Sequence, residues 1–413
     1  MKLDLEFVRK QFNQLNDDPD LVFASNAGGS YVCNQVNEIF ENYNRHTRVQ
    51  PYNNFAPSSN AGLAMDRAKD LWAQALNIEV SELTVGPSTS MNTYVMANAI
   101  STNWTPGDEI VVTNQDHETN IGVWRRKADE KGVTIREWAS DPETGLLNIE
   151  DLAGLLSNKT RWVFFTHCSN IVGTANPVSE ITAEIKKSSS ARVLVDAVAY
   201  APHHISDMQT LGVDAYVFSL YKVFGPHQSL LYTSSDLQTE LSSQAHYFLQ
   251  GDVTKYLNPT GPQHAQVAAC AGVIDYLDAL HSHHFGAVAL SSPQKMHDIH
   301  RLIQVHETNL TKPLVDYLAN HKNVRLIGKP HTQDNDRAPT IAFRPLNQTS
   351  AELTATLQAA NIGTEYGDFY ATRLIEGVGI DPSDGVVRLS LLHYNSMQDV
   401  DKILRELDIA LSA

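Results

Sequence analysis

Between about residues 60 and 235 short apolar runs alternate with stretches of helical periodicity, and few folds accommodate that alternation. The runs Leu83–Val85, Glu109–Thr113, Thr134–Trp138, Trp162–Thr166, Val193–Asp196 and Tyr216–Ser219 read as strands. Helical patterns cover Ala61–Leu76, the stretch opening after Gly86-Pro87-Ser88-Thr89, Thr119–Lys131 and Val178–Lys187. Strands that come round by way of helices predict a mostly parallel sheet covered on both faces, the mark of an α/β domain. Beyond it, a long helical pattern over 293–319 leads to strand-like Val324–Ile327 and Thr340–Phe343. A helix over Ala351–Ala360, a strand over Val386–Leu391 and a closing helix near Met397–Leu411 complete a smaller α/β unit. The chain has 413 residues, and single cores stop growing near roughly 250–300 residues. The expected division is a helix over 1–20 packing on the small domain, a large domain over 21–290 and a small domain over 291–413.

The formal net charge of −16 disfavours nucleic acid and anionic membrane surfaces as partners. No apolar run approaches the roughly 18–20 residues of a membrane span. The three cysteines, Cys33, Cys168 and Cys270, form no CxxC pair, and with no secretion signal in the first residues a reducing cytoplasm is the expected compartment.

In an open α/β sheet, ligands gather outside the carboxyl ends of the strands. Five polar segments follow predicted strands: Gly86–Asn92, Asn114–Asn120, Thr166–Thr174, Asp196–His204 and Ser219–Gly225. In the last, Lys222 lies between an apolar strand and a Gly-Pro turn, where burial would favour the neutral amine that attacks carbonyls. A lysine snorkelling from a strand end fits the same residues. Asp196 ends the run Val193-Leu194-Val195, and a carboxylate there needs a cation or several donors. It could equally be a helix cap.

In this order and spacing, the segments resemble the class V aminotransferase superfamily of pyridoxal 5′-phosphate (PLP) enzymes, specifically its cysteine desulfurase-like branch. The resemblance covers most of the chain, and Tyr221-Lys222-Val223-Phe224-Gly225-Pro226 is similar to the branch's His-Lys-x-x-Gly-Pro. It implies the PLP-dependent transferase (aspartate aminotransferase-like) fold and PLP as cofactor. Lys222 would carry PLP as a Schiff base, Asp196 would hold the pyridine nitrogen, and His117, in Asp116-His117-Glu118-Thr119-Asn120, would stack on the ring. Asn170, in Ser169-Asn170-Ile171-Val172-Gly173-Thr174, would donate to the phenolic oxygen. Ser88, Thr89 and Ser219 would receive the phosphate at a helix start, with Tyr221 beside them. Arg388 would clamp a substrate carboxylate, with Glu365 and Asn26 nearby. A homodimer is implied as well, with Asn258–Gln263 reaching the neighbouring site, although Gly261 stands where threonine is usual. The 45–54 stretch would approach the same site.

Departures from the pattern matter for chemistry. Tyr370, in Gly367-Asp368-Phe369-Tyr370-Ala371, stands where desulfurases carry the cysteine that takes up sulfur, so a persulfide route is not expected. Ala199 replaces a glutamine, and Glu365 falls near a usual second arginine, which suggests a substrate with a neutral or cationic tail. The expected reaction is at the α-carbon of an amino acid or amine: C–S lysis by β-elimination, transamination or racemisation. Lys222 would act as base, with Tyr370 or His117 as a second acid or base. A non-catalytic PLP-binding protein of the same fold is the alternative. Ser219-Leu220-Tyr221-Lys222 also fits S-x-x-K, yet its companion motifs are missing. Asn26-Ala27-Gly28-Gly29-Ser30 is no dinucleotide fingerprint, and His281-Ser282-His283-His284 reads as a polar turn between helices.

Overall fold

The computed structural model describes residues 2–332 and 336–412. Its central sheet has seven strands, in the order Leu83–Gly86, Ser229–Thr233, Ala215–Ser219, Arg192–Asp196, Thr160–Thr166, Glu109–Thr113 and Thr134–Trp138. The last five are mutually parallel, whereas Ser229–Thr233 runs antiparallel to both of its neighbours. Side-chain alternation divides the strands between two cores. Val111, Val163, Phe165, Val193 and Val195 face one layer of helices, and Ile110, Val112, Trp162, Phe164 and Leu194 face the other. This double coverage explains why the strands read as continuous apolar runs.

The smaller sheet is antiparallel, in the order Glu365–Gly367, Val386–Ser390, Thr340–Pro345 and Val324–Ile327. Helices Ser350–Ala359 and Met397–Ser412 contribute Leu353, Leu357, Val400, Ile403 and Leu407 to its core. The helix Ser292–Asn320 serves both domains. Met296, Ile299, Leu302 and Ile303 join the large core, and Leu310, Leu314, Val315 and Leu318 join the small one. A boundary at residue 291 thus precedes the change of partner, which falls inside a helix whose amphipathic pattern is continuous.

Two N-terminal features differ from expectation for packing reasons. The short helix Leu5–Arg9 and its flanks insert Leu3, Val8 and Phe12 into the large core, and Phe12 meets Phe224 and Tyr276 as well as Tyr394. The segment therefore lies at the junction rather than on the small domain alone. Conversely, Val22–Phe23 pairs in parallel with Ile362–Gly363, which takes Val22 and Ala24 into the small core. His281, His283 and His284 sit in the helix Ala271–Phe285, not in a turn. Among the described residues no group of three or more His, Cys, Asp or Glu is placed to hold a metal.

Candidate active site

The Ala215–Ser219 strand returns antiparallel as Ser229–Thr233, with Ser219 opposite Ser229. The connection between them holds Lys222. Leu220–Lys222 forms one tight turn, and Phe224 then adopts φ 58°, left-handed backbone that a bulky residue takes only when its surroundings hold it. They do: Phe224 is buried against Phe12, Tyr276 and His393, and its N–H donates to the Ser30 hydroxyl at 2.9 Å. The lysine is thereby fixed at the end of the sheet, 7% exposed. Burial, with Arg388 adding to it, lowers its pKa to about 8, while Asp196 acts in the opposite direction.

At the end of the neighbouring strand, Asp196 is 4% exposed. Its carboxylate accepts the Val198 N–H at 2.8 Å. Burial raises its pKa to about 6, against the opposing effects of that hydrogen bond and of Lys222. Asp116 lies close behind, fully buried, accepting from Thr113 and Asn120. Burial lifts it to about 7, against those hydrogen bonds, and the charge of Asp196 lifts it further. Two buried carboxyls without a cation between them are costly unless one stays protonated or a cation arrives.

His117 caps the helix Glu118–Lys131, accepting the Thr119 N–H on Nδ1 at 3.0 Å. Burial lowers its pKa to about 4, helped by the charges of Lys222 and Arg388, so at neutral pH the ring is uncharged. At the other end of the cleft, Ser88 caps the helix Thr89–Ser101 by accepting the Met91 N–H at 3.2 Å. The Thr89 hydroxyl bonds those of Ser219 and Ser229 at 2.7 and 3.1 Å. Lys222, Asp196, His117, Asn170, Ser88, Thr89, Ser219 and Tyr221 all line one cleft of about 290 Å³. Ser90, Thr119, Thr166 and His227 line it too and were not singled out from the sequence. His227 directly follows the Gly-Pro turn after Lys222, which is the signal that would have found it. Its ring stacks on Tyr221 at 4.8 Å.

The cleft fits a planar, phosphate-bearing pyridine. Hydroxyls and a helix start, a buried carboxylate with one backbone N–H on it, a histidine ring and a depressed-pKa amine all line the same space. Lys222 would hold such a ring covalently and Asp196 would hold its nitrogen.

The small domain supplies Arg388, 4% exposed on Val386–Ser390. Burial lowers its pKa to about 10, against the opposing charge of Glu365. Glu365 is exposed and lies directly opposite Arg388 in the sheet register. Nη1 of Arg388 donates to the Asn170 carbonyl at 3.2 Å, and its guanidinium lies 3.7 Å from the centre of the Phe369 ring.

Two predicted contacts differ in the structure. The amide nitrogen of Asn170, which lines the cleft, already donates one hydrogen bond to the Phe369 carbonyl at 3.0 Å, because the 367–371 segment lies against it. Asn26 is committed to structure. Its amide nitrogen donates to Phe23 and Ser390 carbonyls at 3.1 and 2.9 Å, and its Oδ1 accepts the Tyr394 hydroxyl. The geometry therefore offers no Asn26 side-chain group to a substrate. Tyr370 is 72% exposed, its ring centre 5.3 Å from that of His117.

The arrangement defines a type I PLP fold. The class-V aminotransferase model matches residues 22–403, and the chain belongs to that family, which is PLP-dependent. It is 35% identical over 416 residues to the aminotransferase-like protein FGM3 of Gibberella zeae, covering 98% of each chain. It is 28% identical to the cysteine desulfurase-like protein ustD of Aspergillus flavus, covering 98% of this chain and 90% of that one. Among solved structures, the apo cysteine desulfurase of Thermococcus onnurineus superposes with a TM-score of 0.86 at 21% identity, covering 100% of this chain and 99% of that one.

Proposed function

We propose that this chain is a PLP-dependent enzyme that labilises a bond at the α-carbon of an amino acid, acting as a C–S lyase by β-elimination or as an aminotransferase. One observation carries the reading: a buried lysine and a buried carboxylate face the same cleft from the ends of neighbouring strands, under a neutral histidine ring. PLP would supply the electron sink, provided that its ring nitrogen stays protonated. Asp196 keeps that proton in place through its charge. Lys222 Nζ, as a neutral amine, would be the base that moves the α-proton. His117, held neutral by burial, fixes the ring plane, and Arg388 orients the substrate through its carboxylate.

The desulfurase route by way of a cysteine persulfide is not part of the proposal. Cys33, Cys168 and Cys270 are all buried. Cys168, although beside the cleft, donates to the Gly173 carbonyl at 3.3 Å, and burial pushes its thiol up to about 12. A thiolate nucleophile is disfavoured there. The Glu365 carboxylate beside Arg388 supports a substrate with a neutral or cationic tail, and fastest turnover of a dicarboxylate would count against that.

A homodimer is proposed too. Exposed Tyr247 and Phe248 adjoin a pocket lined by Lys69, His246, Asn258, Thr260, Gly261 and Pro262; exposed Tyr52 and Phe55 precede the helix Ala56–Leu76 that carries Lys69, and exposed Leu63 lies in it. Sedimentation should return twice the chain mass. The reaction is tested by incubating the purified protein with single amino acids while measuring sulfide, ammonia and keto acid. Sulfide with pyruvate indicates β-elimination, and keto acid with a pyridoxamine spectrum indicates transamination. Absence of all products across the panel favours a binding protein instead.

A further inference from the structure

The backbone turns left-handed at two consecutive non-glycine residues in only one place among the described residues, Phe369 and Tyr370, with φ of 49° and 59°. Such conformations persist only where surrounding contacts impose them. Here the contacts lead to the candidate site and, through the Phe369 ring, to the apolar cluster that includes Ile171 and Leu374. The Phe369 ring covers the Arg388 guanidinium at 3.7 Å, and its carbonyl takes the Asn170 amide at 3.0 Å. The Tyr370 carbonyl accepts the Glu118 N–H at 2.7 Å, at the first turn of the helix that His117 caps, and its ring leans on His117. Asp368 closes the turn by accepting from the Tyr370 N–H at 3.1 Å and from the Thr372 hydroxyl. Arg373 adds a 3.6 Å ion pair to Glu118.

Two polar atoms in this zone are buried and without a hydrogen-bond partner: Arg388 Nε and Asn170 Oδ1. Buried polar groups need a partner, and a bound ligand can supply one. A carboxylate meeting Arg388 in the plane of its guanidinium satisfies Nε while leaving the π contact with Phe369 intact, since the two use different parts of the group.

We propose that Phe369 is a positioning residue for Arg388: its ring holds the guanidinium for an in-plane carboxylate and, through the 368–373 loop, couples that carboxylate's binding to docking of the loop on the His117 helix. This rests on the reading of Arg388 as the carboxylate site, and Tyr370 is the outward face of the same device.

The test compares the holoenzyme with F369A and with F369Y, which keeps the ring. Deuterium exchange at the Glu118 amide should quicken about tenfold in F369A, because opening of the loop becomes easier. Titration of the cofactor's visible absorbance with L-alanine should need about tenfold more ligand, as expected when one oriented contact is lost. Ethylamine, which lacks a carboxylate, should titrate as in the parent protein. F369Y should restore both readings. The proposal is overturned by unchanged Glu118 exchange, by equal weakening of alanine and ethylamine, or by F369Y behaving as F369A. If the parent protein shows no cofactor absorbance, the proposed function fails, and the Glu118 exchange still decides whether Phe369 docks the loop.

Discussion

Two stretches beside the cleft hold bulky residues in left-handed backbone, yet they hold them in different ways. Phe224, two residues after Lys222, is 1% exposed and wedged among Phe12, Tyr276 and His393. Phe369 and Tyr370, beside Arg388, are less enclosed: the half-buried Phe369 ring rests on the apolar cluster that includes Ile171 and Leu374 and on the Arg388 guanidinium, hydrogen bonds hold the backbone, and Tyr370 is 72% exposed. Strain clamped by a core is permanent, whereas strain held in a less enclosed segment can be released at smaller cost. The cofactor half of the site is accordingly rigid, and the substrate half can open.

That contrast can be broken most sharply by deleting the rings. F224A should destabilise the fold by about 3–5 kcal/mol, the usual cost of emptying a buried phenylalanine site, whereas F369A, which empties a half-buried site, should cost about 1–2 kcal/mol. Denaturant unfolding measures both, and similar costs would erase the distinction. D368A, which removes the acceptor closing the loop, should speed proteolytic cleavage after Phe369 or Tyr370 with little change in the unfolding midpoint.

Acid–base behaviour sharpens the comparison in a second way. The Lys222 pKa is lowered to about 8 from 10.5, so between those values the unfolded chain binds a proton that the folded chain does not. The lysine's contribution to stability of the cofactor-free protein therefore rises with pH across that window. Cofactor capture, which needs the neutral amine, should rise through about pH 8. R388A removes a positive charge that depresses this amine, so the capture midpoint should shift upward. An unchanged midpoint would mean that the substrate half exerts no field on the cofactor half. The smallest expected effect is that of Y370F on stability, which should be indistinguishable from zero because the phenol is solvent-facing. A fall in turnover without that loss would assign the hydroxyl a proton-transfer role.

Legibility from sequence follows the same division. Strands Glu109–Thr113, Thr134–Trp138 and Val324–Ile327 appear at their expected bounds, since burial or pairing leaves a local pattern. Lys222, Asp196 and His117 were legible because each follows a strand in a polar segment, and the cleft gathers all three. Ser229–Thr233 was not anticipated, for its antiparallel return depends on a pairing with Ala215–Ser219 that no local pattern announces. Contacts across domains were hidden as well. Nothing near Asn26 in the chain shows that Tyr394 and Ser390 occupy its amide, and nothing near Asn170 shows Phe369 against it.

One measurement bears on the covalent anchor directly: borohydride reduction of the protein reconstituted with PLP, followed by peptide mass mapping. A phosphopyridoxyl group should appear on the peptide containing Lys222, absent in K222A and sparse in D196A. Label spread over other lysines, or label persisting in K222A, would contradict it.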